Sequence, residues 1–116
     1  EWSRMHSGVS ENLFGVMAAA PAPDVFAVGD QGAIVYYDGV AWAAMESGVQ
    51  ETLNDVWAVS AVELFAVGDA GVILHYDGVE WTKRNSGTLR SLRHIWGNSR
   101  VMYVTGDMGT ILRSEE

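Results

Sequence analysis

The stretch Leu53 to Trp81, LNDVWAVSAVELFAVGDAGVILHYDGVEW, decides the fold, because the residues on either side of it are further copies of the same text. Leu53 to Val59 is rich in β-branched and aromatic residues, and Leu64 to Val67 is a short apolar run closed by Gly68-Asp69-Ala70-Gly71. Runs of this kind bounded by Gly and Asp read as strands joined by tight turns. Val72 to Tyr76 is the third run, and it ends at Asp77-Gly78. That pair predicts a type I′ hairpin with positive φ at both central residues. Glu80 to Lys83 is the fourth strand, after which Ser86-Gly87 turns the chain into the next copy. No segment sustains the i, i+3, i+4, i+7 spacing of a helix. One unit is therefore an up-and-down, four-stranded antiparallel sheet.

Trp2, Trp42 and Trp81 open successive copies, a period of about forty residues that matches propeller blades rather than helical solenoids. W-x-x-M-x-S-G-V occurs at Trp2 to Val9 and again at Trp42 to Val49. F-A-V-G-D-x-G occurs at Phe26 to Gly32 and Phe65 to Gly71, with Tyr103 to Gly109 as a third version. Y-D-G-V-x-W occurs at Tyr37 to Trp42 and Tyr76 to Trp81. The expected architecture is an all-β propeller of four-stranded antiparallel blades, three per chain. Residues 7–46 form the first blade, 47–85 the second and 86–116 the third, which lacks its outer strand. Residues 1–6 read as an outer strand without inner strands. The segment from Ala18 to Pro23 reads as a surface turn between the first two strands.

The outer strand and the incomplete blade are complementary. An N-terminal strand that completes the last blade, the velcro device, removes a sheet edge otherwise open to aggregation. Three blades do not close a ring, since propellers have about four to eight. A homodimer has six; a trimer would have nine. If each open blade face carries on the order of 500 Å² of apolar surface, leaving one uncovered forgoes roughly 12 kcal/mol of gross burial at ~25 cal/mol per Å². The expectation is a two-fold dimer with strand exchange, in which Trp2 and Met5 join the sheet of the partner's third blade. The other reading is a fragment of a longer propeller.

S-G-x-x-x-x-L-x-x-V/I-W, then F/Y-A-V-G-D-x-G-x-I-L, then Y-D-G-x-x-W, resembles the repeat of bacterial propellers related to the photosystem II assembly factor and to BNR/sialidase-type families. The Y-D-G-V-x-W segment is similar to their Asp-box, S-x-D-x-G-x-x-W, with Tyr37 and Tyr76 near the place of the Ser and a turn shorter by one residue. The resemblance covers the whole chain. It implies that Asp38 and Asp77 hydrogen-bond within their own turns, that Trp42 and Trp81 pack between blades, and that the source is bacterial and the protein exported. It does not imply one activity, because the family spans hydrolases, lectin-like modules and assembly factors.

Composition removes several function classes. The chain has 116 residues, a net charge of −8 and only seven Lys and Arg, which are scattered. A nucleic-acid binder needs clustered cations, and an anionic membrane surface repels such a chain. No apolar run approaches a membrane span. With no cysteine there is no disulfide framework, and no motif implies a cofactor.

The candidate ligand surface is the mouth of the central channel: Glu11, Phe14, Gln31, Glu51, Asn54, Arg90, Arg93 and Met108. Phe14, Asn54 and Arg93 correspond across the copies, as do Gly15, Asp55 and His94, so the innermost strand is where the copies diverge. Asp30, Asp69 and Asp107 sit at the Gly-Asp turns and read as caps of those turns, because turns on different blades are too far apart for ligands that must lie within ~2.6 Å of one cation. Glu11 and Glu51 correspond and offer a pair of carboxylates, but a glycosidase needs two unlike environments for its acid and base. His6, His75 and His94 fall at unrelated repeat positions, which disfavours zinc. The reading that follows is a non-enzymatic binding scaffold for a protein or glycan, with a lectin-like propeller and a glycosidase as alternatives.

Overall fold

A computed structural model describes residues 1–19, 24–98 and 100–115, the side chain of Glu115 excepted. Among the described residues eleven strands form three antiparallel sheets. The first holds β1 (Leu13–Ala18), β2 (Val25–Gly29), β3 (Ile34–Tyr37) and β4 (Trp42–Met45). The second holds β5 (Leu53–Ser60), β6 (Glu63–Gly68), β7 (Ile73–Tyr76) and β8 (Trp81–Arg84). The third holds β9 (Leu92–Gly97), β10 (Val101–Gly106) and β11 (Ile111–Glu115). Each sheet is ordered as in the sequence, and the innermost strands β1, β5 and β9 lie side by side. This is the stacking expected of neighbouring propeller blades. The fourth strands begin at Trp42 and Trp81, one residue later than the sequence pattern places the second of them. Residues 20–23 of the surface turn read from the sequence lie outside the described residues.

The core lies in the two joints between sheets. Successive side chains of a strand point to opposite faces, so a central strand in a stack must be apolar on both. β6 does this: Leu64 and Ala66 join Phe26, Val28, Ile34, Leu74 and Trp81 in the first joint. Phe65 and Val67 join Ile95, Met102 and Val104 in the second. Among the described residues the outward faces of the end sheets are covered only in part: on the first, Ala27 and Val35 are buried, with Met5 and Trp42 beside Ala27. Ile111 is 70% exposed and Trp96 60% on the third sheet, with Phe14 55% exposed on the first.

Glu1 to His6 form no strand in the single chain, and Trp2 is fully exposed. An isolated strand has no partner for its backbone N–H and C=O groups, so the segment read as an outer strand is not one in the single chain.

The turns differ from the sequence expectation in a systematic way. The paired positive-φ residues of a type I′ turn occur in the Gly-Asp turns: Gln31 (57°) with Gly32 (71°), Ala70 (60°) with Gly71 (76°), Met108 (61°) with Gly109 (75°). In each, the residue after the glycine donates its N–H to the aspartate carbonyl. The Asp-Gly pairs expected to be type I′ instead open four-residue connections with positive φ only at Gly39 and Gly78. Asp38 Oδ1 accepts the N–H groups of Val40 (2.8 Å) and Ala41 (3.0 Å), and Asp77 Oδ1 those of Val79 and Glu80 (both 2.9 Å). These are turns held by the Asp side chain, as the resemblance implies.

These bonds hold both carboxyls below the usual range: for Asp38 through the N–H of Ala41 and then Val40, for Asp77 through that of Glu80 and then Val79. A carboxyl whose pKa is depressed by folding adds stability above its unfolded pKa and loses it as pH falls toward the folded value. The double variant Asp38→Asn/Asp77→Asn is therefore expected to unfold with a shallower acid limb below about pH 4 than the parent chain, measured by circular dichroism against pH. Identical acid limbs would remove these turns from the pH response.

Candidate functional site

The innermost strand of every sheet carries a bulge at the same place. Leu13 pairs with Gly29 and Gly15 with Val28, which leaves Phe14 as the extra residue. Asn54 and Arg93 are the extra residues of β5 and β9. A bulge re-aims its side chain. In the second and third sheets it turns the side chain toward the Gly-Asp turn of the same sheet. Asn54 Nδ2 donates to Asp69 Oδ1 (3.1 Å), and Arg93 Nε and Nη2 donate to Asp107 Oδ1 (3.0 Å) and Oδ2 (3.1 Å). Phe14 has nothing to donate, and Asp30 is served instead by Asn12 Nδ2 (3.1 Å) and by Thr52 Oγ1 (3.1 Å) of the lead-in loop of the second sheet.

Asp30, Asp69 and Asp107 therefore do not cap their own turns with their side chains, as the sequence reading has it. Their carboxylates fasten the turn to the innermost strand or its lead-in loop. Hydrogen bonding to Arg93 lowers the Asp107 pKa and raises that of Arg93. Both groups are about half exposed, so water screens the pair and its role is orientation more than stability.

The same positions tie sheet to sheet. Asn54 Nδ2 also donates to the Leu92 carbonyl (2.8 Å). Asp55 Oδ2 accepts the N–H of Ile95 (2.9 Å), and His94 Nδ1 stands 3.9 Å from the same oxygen. Gly15 occupies the corresponding place in the first sheet because a Cβ there would come within 2.9 Å of the Asp55 backbone. The divergence among copies at Gly15, Asp55 and His94 thus has a packing cause at the joints.

Of the residues read as a ligand surface, Asn54 and Arg93 are engaged in the scaffold. Phe14 does not join the mouth: with Met5, Leu13, Val16, Ala27 and Trp42 it lines an apolar groove on the outward face of the first sheet. Trp42 correspondingly lies on that open face, whereas Trp81 packs between sheets. Glu11 and Gln31 line one groove with Glu46, Ser47 and Gln50. The equivalent groove one sheet on is lined by Lys83, Arg84, Asn85 and Leu89. An acidic groove and a cationic one do not offer one ligand the same contacts. Glu51 is half-buried, and Arg90 and Met108 are exposed.

His75 serves packing and pairing: Nε2 lies 3.0 Å from Glu63 Oε2, Nδ1 lies 3.1 Å from Arg84 Nη2, and the ring stacks on Phe65 at 4.6 Å. No three His, Asp or Glu side chains among the described residues come together as metal ligands would. Asn12, Thr52 and Asp55 are the working residues that motif reading passed over. Asp55 had a signal in its divergence between copies; Asn12 and Thr52 had none, since their bonds cross to turns distant in sequence.

No protein-family model matches this chain, and neither a curated protein nor a solved structure is similar to it.

Proposed function

We propose that the protein is a non-enzymatic binding or interaction scaffold that works as a six-bladed ring of two copies. Its ligand surface is the face built from the lead-in loops at Glu11, Glu51 and Arg90 and the turns at Gln31, Ala70 and Met108. The observation that carries the ring is the pair of end faces that keep large apolar side chains exposed. The outward face of the third sheet presents Trp96, Tyr103 and Ile111 at the positions where the inner joints bury theirs, and the first sheet offers Phe14 and Val16 in return, with the half-buried Trp42 beside them. Large contiguous apolar faces mark interaction sites.

The internal sheets give the register of closure. Ile34 pairs with Met45 and Ile73 with Arg84, and the repeat carries this to Ile111 of one copy opposite Met5 of the other, with Ser114 opposite Trp2. Met5 already lies against the first sheet beside Ala27 and Trp42. Sequence resemblance to BNR-type propellers agrees with this reading and supplies no chemistry of its own. The mouth supports binding because its exposed residues differ from copy to copy, which a purely structural ring does not need.

Light scattering on a size-exclusion column is expected to give twice the chain mass of 12.6 kDa. A monomeric mass at every concentration would remove the ring. Turnover of chromogenic glycosides lost on Glu51→Gln would overturn the non-enzymatic reading.

A further inference from the structure

Each inner joint contains a second contact beside the strand pairing. The loop Ser47-Gly48-Val49 lies against the turn Asp30–Gly32 so closely that a Cβ on Gly32 would sit 2.1 Å from the Val49 carbonyl oxygen and 2.8 Å from Ser47 Oγ. The next joint repeats this: a Cβ on Gly71 would sit 1.9 Å from the Thr88 carbonyl oxygen and 3.0 Å from Ser86 Oγ. Both loops are shaped alike: the serine Oγ donates to the carbonyl two residues on and accepts the N–H of that residue, around a glycine of φ 80° or 82°.

One loop and one turn of this kind remain without a counterpart among the described residues. Ser7-Gly8-Val9 has the finished loop geometry, with both Ser7 to Val9 hydrogen bonds at 3.3 Å and Gly8 at φ 85°, and no Gly-Asp turn of the described residues lies against it. The turn Asp107–Gly109 has the finished turn geometry, yet a Cβ on Gly109 would meet nothing within 4 Å. We infer that the Ser7-Gly8-Val9 loop of one copy seats on the Asp107–Gly109 turn of another, carbonyl of Val9 against Cα of Gly109. This rests on the two-copy ring proposed above and names a docking element separate from strand exchange. Because both halves are preformed, they lose little conformational freedom on meeting, so the seat fixes the register in which Met5 finds Ile111.

The test is sedimentation equilibrium of the unsubstituted chain, Gly109→Ala and Gly8→Ala. Both variants place alanine at positive φ, but that strain is present in free and assembled states alike and cancels from the association constant. Gly109→Ala also drives a methyl into the Val9 carbonyl at both seams of the ring, and is expected to weaken association at least ~100-fold. Gly8→Ala is expected to change it less than ~5-fold, since the matching Gly48 and Gly87 face open space even inside formed joints. Assembly by the parent chain with equal association by Gly109→Ala would overturn the seat and leave the ring standing; a monomeric parent chain would overturn both. Should Gly109→Ala fail to fold by circular dichroism, hydrogen exchange of the unsubstituted chain decides. Amides of residues 7–12 and 105–110 must gain protection together as concentration rises, and unchanged exchange there would refute the seat.

Discussion

A chain carrying Gly71→Ala is expected to melt more than about 10 °C below the parent, while Gly87→Ala, sixteen residues away, lowers the midpoint by only about 4 °C. Both glycines have positive φ, 76° and 82°, and both substitutions bear the left-handed strain of about 1 kcal/mol. Their surroundings separate them. A Cβ on Gly71 would lie 1.9 Å from the Thr88 carbonyl oxygen, which is backbone, whereas one on Gly87 meets nothing within 4 Å. Forcing the two sheets apart at that point adds about 2–3 kcal/mol of overpacking. Thermal unfolding followed by circular dichroism measures the gap. Equal midpoints for the two variants would mean that the second and third sheets are not seated on each other as described.

The second large effect belongs to tryptophan. Trp81 is 7% exposed, stacks on Tyr76 at 5.1 Å and fills the joint between the first two sheets. Trp81→Ala is expected to cost about 3–5 kcal/mol in urea unfolding. Its indole N–H is buried with no hydrogen-bond partner among the described residues, so Trp81→Phe costs much less, about 1 kcal/mol. Trp42 holds the same repeat position and stacks on Tyr37 with the same 5.1 Å separation. It faces outward and is only half-buried, although its indole N–H is buried like that of Trp81, so in the dilute single chain Trp42→Ala is expected to cost about 2 kcal/mol, rising once the face is covered. Similar costs for Trp81→Ala and Trp42→Ala in the single chain would contradict the assignment of one to a joint and the other to an open face.

The repeat made most of this fold legible in advance. Alternation in Leu64 to Val67 places side chains on both faces of β6, and the recurring Gly-Asp and Asp-Gly pairs mark the turns. Turn type was misread. Asp-Gly favours type I′ in an isolated hairpin, but Asp38 and Asp77 bind their own backbone more strongly and stretch the connection to four residues. The type I′ geometry falls to Gln31, Ala70 and Met108, whose identities carry no turn signal.

The candidate site was legible only as a set of divergent positions. That Phe14, Asn54 and Arg93 differ among copies is plain in the residues; that they sit on bulges is not, because a bulge depends on the pairing of two strands and leaves no mark in one. Asn54 and Arg93 turned out to fasten strands and turns, and Phe14 to face outward into the groove beside Met5.

The residues by themselves determined the strands of the three sheets, their order and the number of repeats, since those follow from local periodicity and turn chemistry, but not the strand read at residues 1–6, which needs an edge to pair with. Which glycines are crowded, which carboxylate serves which strand, and which tryptophan is covered were decided only by tertiary structure. Each of those depends on what the neighbouring sheet places opposite a given atom, and a repeat spells every copy alike while, among the described residues, only the second of the three sheets has a neighbour on both faces.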